Sequence, residues 1–510
     1  MRRIYCIETY QGDGVYRIKR QKAGKEESMS DEKITWSSFL KLMMTIALPV
    51  ALQNLLSTTA GMVDTIMIGS MGELAVAAVG ICSQISSLFF SCYWGFAGGA
   101  MLFFAQYWGA KNQRGINQTF GVTFLFMTVV GSAFAITAVT NPEFMLGIYT
   151  DKENIIRMGA PYIRIVGFAY PLQVFAVLVS FFMRATERVK APLFCSIASL
   201  FVNFVLNFVL IYGRFGAPKM GVAGAAVGTL ASGIVNLLLL VIFLLASKCE
   251  IRLRLREMFG FQKEFFGAYL SKCLPILANE MLYGVGQMII NIVIGHQDES
   301  AIAAMAAFRV CEGFVYAFFG GLSNAASVII GKEVGSGHLP RAYNYCRKSS
   351  MFCPMVTFAV VAVMALFGGP ILGLFGLGEM AMTYGKYMLL IYLVFGTIRT
   401  CNYIMNESYR AGGEAVFGTV LEVSCLFVIS VPATWIAGMV LKLPFLGVFA
   451  FVYTDEIIRL LVETRYTASG RWIKPVTEQG IQALPEFREW LRSRRGRGWG
   501  KLSDGKIPRH

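Results

Sequence analysis

Long apolar stretches alternate with short polar ones along most of the chain. Each approaches or exceeds the ~20 residues that an α-helix needs to cross the apolar core of a bilayer. The pattern therefore predicts an all-α integral membrane protein with about twelve transmembrane helices. The predicted spans of the first half are Phe39–Gly69, Leu74–Trp108, Phe120–Thr140, Ala160–Met183, Leu193–Gly213 and Val222–Ala246. Those of the second half are Leu274–Gly295, Ala301–Ile330, Met351–Phe367, Met382–Met405, Phe417–Val440 and Leu446–Leu461.

Composition and charge agree with this interpretation. The 510 residues are 55% hydrophobic and 15% charged, and the mean hydropathy is +0.57, outside the range of ordinary soluble domains. A net charge of +15 would suggest a nucleic-acid partner in a soluble protein, but here the basic residues are assigned to loops, and we expect no such partner. The positive-inside rule places both termini in the cytosol. We expect the protein to lie in a bacterial cell (inner) membrane.

The loop assignment can be stated residue by residue. Basic residues of the predicted cytoplasmic loops are Lys111, Arg114, Arg184, Arg188, Lys190, Lys248, Arg252, Arg254, Arg256, Lys263, Arg341, Arg347 and Lys348. Those of the predicted external loops are Lys152, Arg157, Arg214, Lys219 and Lys442.

Polar segments suggest the domain boundaries. Residues 1–34 form a polar extension that we expect to be disordered; it lacks the apolar core of a signal peptide, and Met29 is an alternative start. Residues 35–246 form a first lobe, 247–263 a cytoplasmic linker and 264–473 a second lobe. Residues 474–510 are interpreted as a basic cytoplasmic tail, either solvated or in contact with anionic lipid.

The second half repeats the first at a fixed offset. Leu48-Pro49 recurs as Leu274-Pro275, 226 residues later, and Arg184-Ala185 recurs at the same offset as Arg410-Ala411. Glycine and alanine positions follow the same offset through most of each half. Since each half holds about six spans, the copies cross the membrane in the same direction. Two six-helix lobes related as parallel repeats, with a central cleft that opens alternately to each side, are expected.

Asp64 is the first candidate for chemistry. A charge inside hydrocarbon is costly and usually faces a cavity or a partner, and Asp64 has no basic residue within a turn or two along the chain. Asn203 and Asn207, four residues apart on one helix face, and Thr229 are the expected partners. Such a carboxylate could take up or release a proton or a cation; a structural hydrogen-bonded cluster is the alternative.

The repeat makes Asp64 specific to the first lobe. At offset 226, Asp64, Asn203 and Asn207 correspond to apolar residues, so this polar cluster is expected in the first lobe only. Glu280, in contrast, corresponds to Asn54.

Other polar residues within predicted spans are secondary candidates. Asn279-Glu280 lies well inside an apolar helix and is assigned either cation binding or substrate contact, with a structural role as the alternative. Arg164 and Arg399 either act as counter-charges for these acids or extend to an interface. The three-residue spacing of Arg309 and Glu312 predicts a structural ion pair. Structural or interfacial roles are also expected for two acids beside the Arg410 loop, Glu407 and Glu422.

Several functional classes are disfavoured. The eleven cysteines show no metal or redox spacing, and the three histidines do not cluster, so neither a metal site nor a cofactor is expected. An embedded transferase or protease would need a catalytic constellation that is missing, and an enzyme is not expected. No Gly-Lys-Ser/Thr phosphate loop occurs, so the energy source should be an ion gradient.

These residues resemble a known family. Leu-Pro-Val-Ala-Leu-Gln-Asn, followed by Gly-Met-Val-Asp-Thr-Ile-Met-Ile-Gly, its echo Leu-Pro-Ile-Leu-Ala-Asn-Glu and the loop Arg-Ala-Gly-Gly-Glu are similar to the multidrug and toxic compound extrusion (MATE) family over roughly residues 35–475. The resemblance implies an antiporter, coupled to protons or sodium ions, that exports amphipathic, often cationic compounds.

The resemblance also implies site residues. It points to Asp64 with Asn203, Asn207 and Thr229 as neighbours, and to Glu280, with secondary positions at Gln53, Asn54, Asn279 and Arg399. Some members have a second acid at the position of Asn207, an acid near Tyr283 and another near Arg399, and this chain departs from them at all three. These departures favour a first-lobe site, with proton coupling ahead of sodium.

The sequence leaves a second interpretation open beside the antiporter. A flippase for lipid-linked oligosaccharides or polysaccharides can share this architecture, but it should line its cavity with several basic residues, whereas here most lie in predicted loops. The expected partners are small-molecule substrates and membrane lipids, and a monomer is expected. The substrate and the coupling ion are left undetermined.

Overall fold

Twelve long helical segments cross the molecule in the computed structural model, which describes residues 35–246, 253–260 and 263–503. The predicted extension 1–34 lies outside the described residues. The first six segments, which form the first lobe, are α1 (Trp36–Gly69), α2 (Glu73–Gly109), α3 (Gln113–Thr140), α4a (Glu153–Gly167) with α4b (Ala169–Ala185), α5 (Lys190–Tyr212) and α6 (Val222–Ala246).

The second lobe follows the same order. Its segments are α7 (Lys263–Gly295), α8 (Glu299–Gly335), α9 (Leu339–Leu366), α10 (Glu379–Ala411), α11 (Val416–Val440) and α12 (Phe445–Phe451 continued by Thr454–Ser469). Short helices at Pro142–Gly147, Leu255–Met258 and Gly368–Gly373 lie between them, and α13 (Glu478–Ser503) ends the described chain. The described residues contain no strand. The all-α membrane fold is therefore confirmed.

Side-chain caps and glycines set several helix ends. The hydroxyl of Thr35 and the carboxylate of Asp298 accept hydrogen bonds from backbone N–H groups in the first turns of α1 and α8, which satisfies donors that a helix start leaves unpaired. Gly213 and Gly470 adopt left-handed φ values of 68° and 67° just after α5 and α12, a conformation that glycine adopts at little cost.

Eleven of the twelve segments are long and apolar enough to cross a membrane. Ten helices meet this condition by themselves, and α4a and α4b meet it together across a 45° bend. The exception is α12, which carries Asp455, Glu456, Arg459 and Glu463. The predicted final span Leu446–Leu461 is interrupted after Phe451 and continues to Ser469 because those charges are paired inside the protein rather than exposed to lipid.

Close approaches between the lobes follow the sequence repeat. A methyl group on Gly95 of α2 would collide with Leu277 of α7, and one on Gly321 of α8 would collide with Ala51 of α1. Since Gly321 is the repeat equivalent of Gly95, and Leu277 that of Ala51, the two contacts are one contact repeated with the lobes exchanged. This exchange is the signature of parallel repeats, and it shows why small residues recur at the offset.

A second contact of this kind, also repeated with the lobes exchanged, lies where α2 and α8 end. Methyl groups on Gly109 and Gly335 would overlap the backbone of Lys332 and Gln106, respectively. We therefore expect Gly335→Ala to force α8 away from α2 and to destabilise the protein by about 1–3 kcal/mol, as overpacking does. Thermal unfolding in detergent measures the effect. Gly267→Ala is the matched control, because nothing lies within 4 Å of its added methyl group; equal melting of both variants would contradict this account.

The central cleft is closed on one side. We call the side at which α1 begins and α12 ends the terminal face. Near it, Gln106 of the first lobe donates to the Ala411 carbonyl at 2.8 Å, and Lys332 of the second lobe contacts Glu187 at 2.8 Å. Farther from this face, at mid-depth, Asn54 of the first lobe donates to the Ala317 carbonyl of the second at 3.5 Å. The lobes are therefore held together at the terminal face.

The start of the segment after α12 packs onto that closure, whereas most of α13 from residue 481 to 494 is exposed or half-buried. Trp472 is fully buried, and the Val476 N–H donates to Gln106 at 2.8 Å. In α13, Phe487 is only 2% exposed and lies with Trp490 against Tyr343. The tail thus contacts both lobes at the terminal face.

A charge pair fastens the start of this segment. Lys474 pairs with Glu414, which also accepts the backbone N–H groups of Val416 and Phe417. Burial disfavours the charge of Glu414, but these partners outweigh burial and lower its pKa. A lowered pKa means that the attachment is fully present at neutral pH and is lost only as the pH falls through the lowered value.

The linker between the lobes is also attached. Within it, Glu257 accepts a 2.6 Å hydrogen bond from Asn117 of α3, and Met258 is buried. Residues 247–252 of the predicted linker lie outside the described part.

Candidate functional site

A cavity of about 650 Å³ lies between the two lobes. Residues of α1, α2, α4b, α5 and α6 line it from the first lobe, and α8 and α10 line it from the second. Many of its lining groups are neutral polar side chains: Gln53, Asn54, Ser57, Thr58, Gln173, Ser180, Ser196, Ser199, Thr229, Ser232, Asn236, Ser323, Asn324 and Ser327. Three of the sequence candidates, Gln53, Asn54 and Thr229, therefore face the space between the lobes.

Aromatic rings form another part of the wall. Phe90 and Trp94 of α2 stack with ring centroids 4.7 Å apart, and Tyr316 and Tyr403 of the second lobe meet at 6.1 Å. Aromatic faces beside neutral polar groups offer apolar area together with a few orienting hydrogen bonds. The cavity suits an amphipathic guest.

Asp64 contacts one of the two partners that were predicted on α5, and that partner in turn contacts the other. Asn207 donates through Nδ2 to Asp64 Oδ1 at 2.7 Å and lies 3.2 Å from Asn203 Oδ1. Asn207 is fully buried, and a methyl group on Gly228 of α6 would overlap its side-chain oxygen. A glycine on α6 thus makes room for the amide that holds the carboxylate.

Asp64 faces a different space from the central cavity. It lines a groove of about 310 Å³ between α1 and α5 whose other lining residues are mostly apolar, among them Val63, Leu200 and Phe201. A half-buried carboxylate with one amide donor in such surroundings can exchange a proton without a large rearrangement.

Thr229 does not touch Asp64. Its hydroxyl donates to the Ala225 carbonyl at 3.1 Å. Thr229 lines the central cavity, whereas Asp64 lines the groove. Of the three expected partners, Asn207 hydrogen-bonds Asp64, Asn203 is reached through Asn207, and Thr229 lies in a different space.

Glu280 opens onto a second cavity of about 310 Å³ that shares Phe90, Trp94 and Arg410 with the central one. Its carboxylate lies 3.9 Å from Arg410, which also contacts Glu407 at 2.7 Å. The two cavities are therefore neighbours, and Arg410 lines both of them.

The second lobe contains a larger set of buried and half-buried charges. It lies at other positions, since the equivalents of Asp64, Asn203 and Asn207 are apolar, and its extent was not predicted from the sequence. We call this set the second-lobe charge cluster; it consists of Glu280, Glu312, Arg399, Glu407, Arg410, Glu422, Asp455, Glu456, Arg459 and Glu463. Seven of these residues are acidic and three are arginines. If all were ionised, the acids would exceed the arginines by four, an excess that a low-dielectric interior disfavours.

Two arginines of the cluster bridge several helices. Arg399 contacts Glu312 at 2.7 Å, the Tyr283 hydroxyl at 2.6 Å and Glu456 at 3.8 Å. Arg459 lies 3.4–3.6 Å from Glu422, Glu456 and Glu463. Arg399 therefore acts as a counter-charge, which was one of the two predicted roles. Its partners are Glu312 and Glu456, however, and not Asp64 or Glu280.

Two other predicted charge pairings are corrected. Glu312 pairs with Arg399 of α10, whereas Arg309 hydrogen-bonds Asn291 of α7. Arg164 is exposed and lies 3.7 Å from an equally exposed acid, Glu143. The helical spacing of Arg309 and Glu312 was compatible with a pair, but a closer partner on a neighbouring helix took its place.

Neutral amides complete the cluster. Asn279 and Asn406 donate to Glu422 at 3.1 and 3.0 Å, and Asn402 donates to Glu456 at 2.8 Å. Asn279 is therefore bonded to an acid of α11 and packs inside the lobe.

The sequence held a signal for the cluster. Asp455, Glu456, Arg459 and Glu463 follow i, i+3 and i+4 spacing within one apolar segment, which places them on one helix face. The predicted span Leu446–Leu461 contains three of these charges and stops two residues before Glu463.

Arg184 was assigned to a cytoplasmic loop, and the structure contradicts that assignment. It lies in the last turn of α4b, is 8% exposed and lines the central cavity. Arg410, its repeat equivalent, lines the same cavity from the second lobe and is 7% exposed. Each lobe therefore contributes one buried arginine to the space between them.

Two pseudosymmetric helical lobes around a cavity at membrane depth, closed at one face, define the protein as a membrane transporter. Residues 49–209 and 275–436 both match the MatE family, and the chain belongs to this family, that of the multidrug and toxic compound extrusion (MATE) transporters. The two matches begin 226 residues apart, the offset at which the sequence repeats.

Known relatives agree with this assignment. An uncharacterized transporter, YisQ, of Bacillus subtilis is 23% identical over 90% of this chain and 98% of its own length. The probable multidrug resistance protein YoeA of the same organism is 26% identical over 83% of this chain and 92% of its own.

Solved structures show the same fold. An outward-facing multidrug resistance MATE family transporter of the MOP superfamily superposes with a TM-score of 0.77, at 18% identity, over 84% of this chain and 95% of that chain. A MOP superfamily transporter from Pyrococcus furiosus, described as having a binding pocket of reverse polarity, gives a TM-score of 0.76 at 19% identity over the same shares.

Proposed function

We propose that this protein is an antiporter that exports amphipathic, often cationic drug-like compounds by alternating access, driven by a proton gradient. The observation that carries the proposal is the cavity of about 650 Å³ between the lobes, walled by aromatic rings and neutral polar groups and closed at the terminal face. The multidrug resistance names of YoeA and other relatives support export of toxic compounds.

Two groups are candidates for coupling. Asp64 contacts only the Asn207 amide by a direct hydrogen bond, so its proton can leave without breaking an ion pair. The second-lobe charge cluster has an acid excess that protonation would offset. A proton fits both sites better than sodium, because arginines already occupy the centre of the second-lobe cluster; sodium is the alternative.

The orientation follows from charge. The terminal face carries the loops that were predicted to be cytoplasmic, and their excess of lysine and arginine favours that side. With both termini in the cytosol of a bacterial cell, the closure by Gln106 and Lys332 makes this an outward-facing conformation. The transporter acts as a monomer in the cell membrane in this proposal.

A flippase for lipid-linked saccharides is the second candidate, favoured by one observation. Both Arg184 and Arg410 line the cavity, as a site for a pyrophosphate would require. However, Glu407 and Glu280 already compensate Arg410. A single uncompensated arginine is a weak anchor for a pyrophosphate, so drug export ranks first.

The test is transport by purified protein in vesicles loaded with a cationic dye, rhodamine 123. In the proposed mechanism, protons and dye cross the membrane in opposite directions. An imposed pH gradient should therefore drive dye transport well above the level in protein-free vesicles, and a sodium gradient alone should not. Dye transport driven by a sodium gradient alone would identify sodium, instead of the proton, as the coupling ion. Failure of both gradients would overturn the antiporter proposal, and movement of a fluorescent lipid-linked saccharide instead would favour the flippase.

A further inference from the structure

Arg184 is a buried cation without an acidic partner. Its Nη2 donates to Gln53 Oε1 at 2.6 Å, and its guanidinium lies 5.4 Å from the centre of the Phe181 ring. It forms no salt bridge with a carboxylate among the described residues, and its Nε has no hydrogen-bond partner there. A buried charge with such incomplete compensation is costly, and a ligand in the cavity could offset that cost.

The second lobe shows what compensation would look like. Arg410, at the equivalent position, contacts the carboxylates of Glu407 and Glu280. At offset 226 these acids correspond to Phe181 and Asn54. The first lobe has therefore kept the buried arginine of the repeat while carrying neither of its acids, which leaves one donor group directed at the cavity.

The surroundings of Arg184 are arranged to hold it there. Gln53 donates from Nε2 to Ser196 at 2.7 Å, which orients its Oε1 toward the guanidinium. Ser180 lies one helical turn before Arg184, so both share a face of α4b. The Ser180 hydroxyl also lines the cavity and lacks a hydrogen-bond partner. Arg184 and Ser180 are thus neighbours on one helix face that lines the cavity.

We infer that Arg184, with Ser180, is an anion subsite of the central cavity that binds the acidic group, a carboxylate or phosphate, of an amphipathic substrate. The planar guanidinium forms charge-assisted hydrogen bonds to such a group, and the aromatic wall at Phe90 and Trp94 covers the apolar part. The inference rests on the proposed function, since it names a substrate class for the same cavity: amphiphiles that carry an acidic group.

A matched pair of dyes tests the inference. Rhodamine 110 carries a free carboxylate, and rhodamine 123 is its methyl ester. Binding to detergent-purified protein, measured by fluorescence polarisation, should favour rhodamine 110 by about tenfold or more, because a hydrogen bond to a charged group contributes about 1.5–3 kcal/mol. Arg184→Gln should remove this preference and leave rhodamine 123 binding within about twofold, whereas Arg184→Lys, which keeps the charge, should retain part of it.

The controls separate the alternatives. Arg164→Gln removes an exposed arginine and should keep the wild-type preference, while rhodamine 123 binding by Arg184→Gln shows that this variant is folded. Equal loss of both dyes, or no preference in the wild type, overturns the subsite. Loss of the preference when phosphatidylglycerol replaces phosphatidylcholine in the micelles assigns Arg184 to a lipid headgroup and overturns the substrate assignment.

The two proposals fail separately. If a gradient drives rhodamine 123 across the vesicle membrane but the wild type does not prefer rhodamine 110, the anion subsite is rejected and the antiporter proposal is retained. If the preference is present but no gradient drives either dye, the subsite stands and the proposed coupling falls.

Discussion

Replacing Arg459 with glutamine is expected to destabilise the second lobe by about 3–5 kcal/mol, the usual cost of leaving buried charges without their partner. Arg459 is only 4% exposed and lies between three carboxylates, those of Glu422, Glu456 and Glu463. Neither carboxylate oxygen of Glu463 has a hydrogen-bond partner among the described residues, so this acid depends most on the arginine. The midpoint of thermal unfolding in detergent measures the loss.

The matched control is Arg164→Gln. Arg164 and Glu143 form an exposed pair at 3.7 Å, and such pairs contribute about 0–1 kcal/mol. A double variant, Arg459→Gln with Glu463→Gln, should recover part of the stability, because it removes one of the uncompensated charges. Unfolding of Arg459→Gln at the same midpoint as the control would show that the cluster is already neutralised by protons.

Asp64→Asn is expected to abolish gradient-driven export while leaving dye binding nearly unchanged. Asparagine has the shape of aspartate and can still hydrogen-bond Asn207, but it cannot take up and release a proton. Asp64 lies outside the central cavity, so the guest should still bind. The measurement compares uphill transport of rhodamine 123 under a pH gradient with its equilibrium binding in detergent.

Glu73→Gln is the control for this variant. Glu73 is an exposed acid in the first turn of α2, outside the cavities described above. Glu280→Gln is the informative comparison, because Glu280 belongs to the second-lobe charge cluster. Undiminished export by Asp64→Asn together with loss in Glu280→Gln would move the coupling site to the second lobe.

The contrast between the two lobes bears on mechanism. In the first lobe, one carboxylate is held by one amide, and one arginine lacks an acid. In the second, seven acids surround Arg399, Arg410 and Arg459, so the acids outnumber the arginines by four. The lobes have the same scaffold, so rocking one against the other can bring different chemistry to the same cavity.

Much of the fold could be predicted because its signals lie along the chain. Apolar stretches of bilayer length predicted the spans, and a constant offset predicted the parallel repeat. The contacts of Gly95 and Gly321 show that offset in three dimensions. Asp64 was found by the same logic, since a lone acid in an apolar stretch is visible without knowing its neighbours, and helical spacing correctly grouped Asn203 with Asn207.

The charge pairings could not be predicted in this way. Arg309 and Glu312 have a spacing that suits a pair, yet Glu312 lies closer to Arg399, 87 residues away along the chain. Arg184 was read as a loop residue because it follows an apolar stretch, but α4b ends beneath the terminal face and keeps the arginine inside. Helix depth and rotation decide such contacts, and neither is encoded in spacing along one segment.

Sequence by itself thus determined the membrane class, the twelve-helix repeat, the family and the isolated carboxylate Asp64, because burial in lipid and duplication both leave one-dimensional patterns. Tertiary structure alone decided which charges meet, that the second lobe holds the larger ionisable cluster, that the tail covers the terminal face, and that Arg184 faces the cavity without an acid. Coulomb interactions depend on distances between helices, and those distances exist only once the helices have packed.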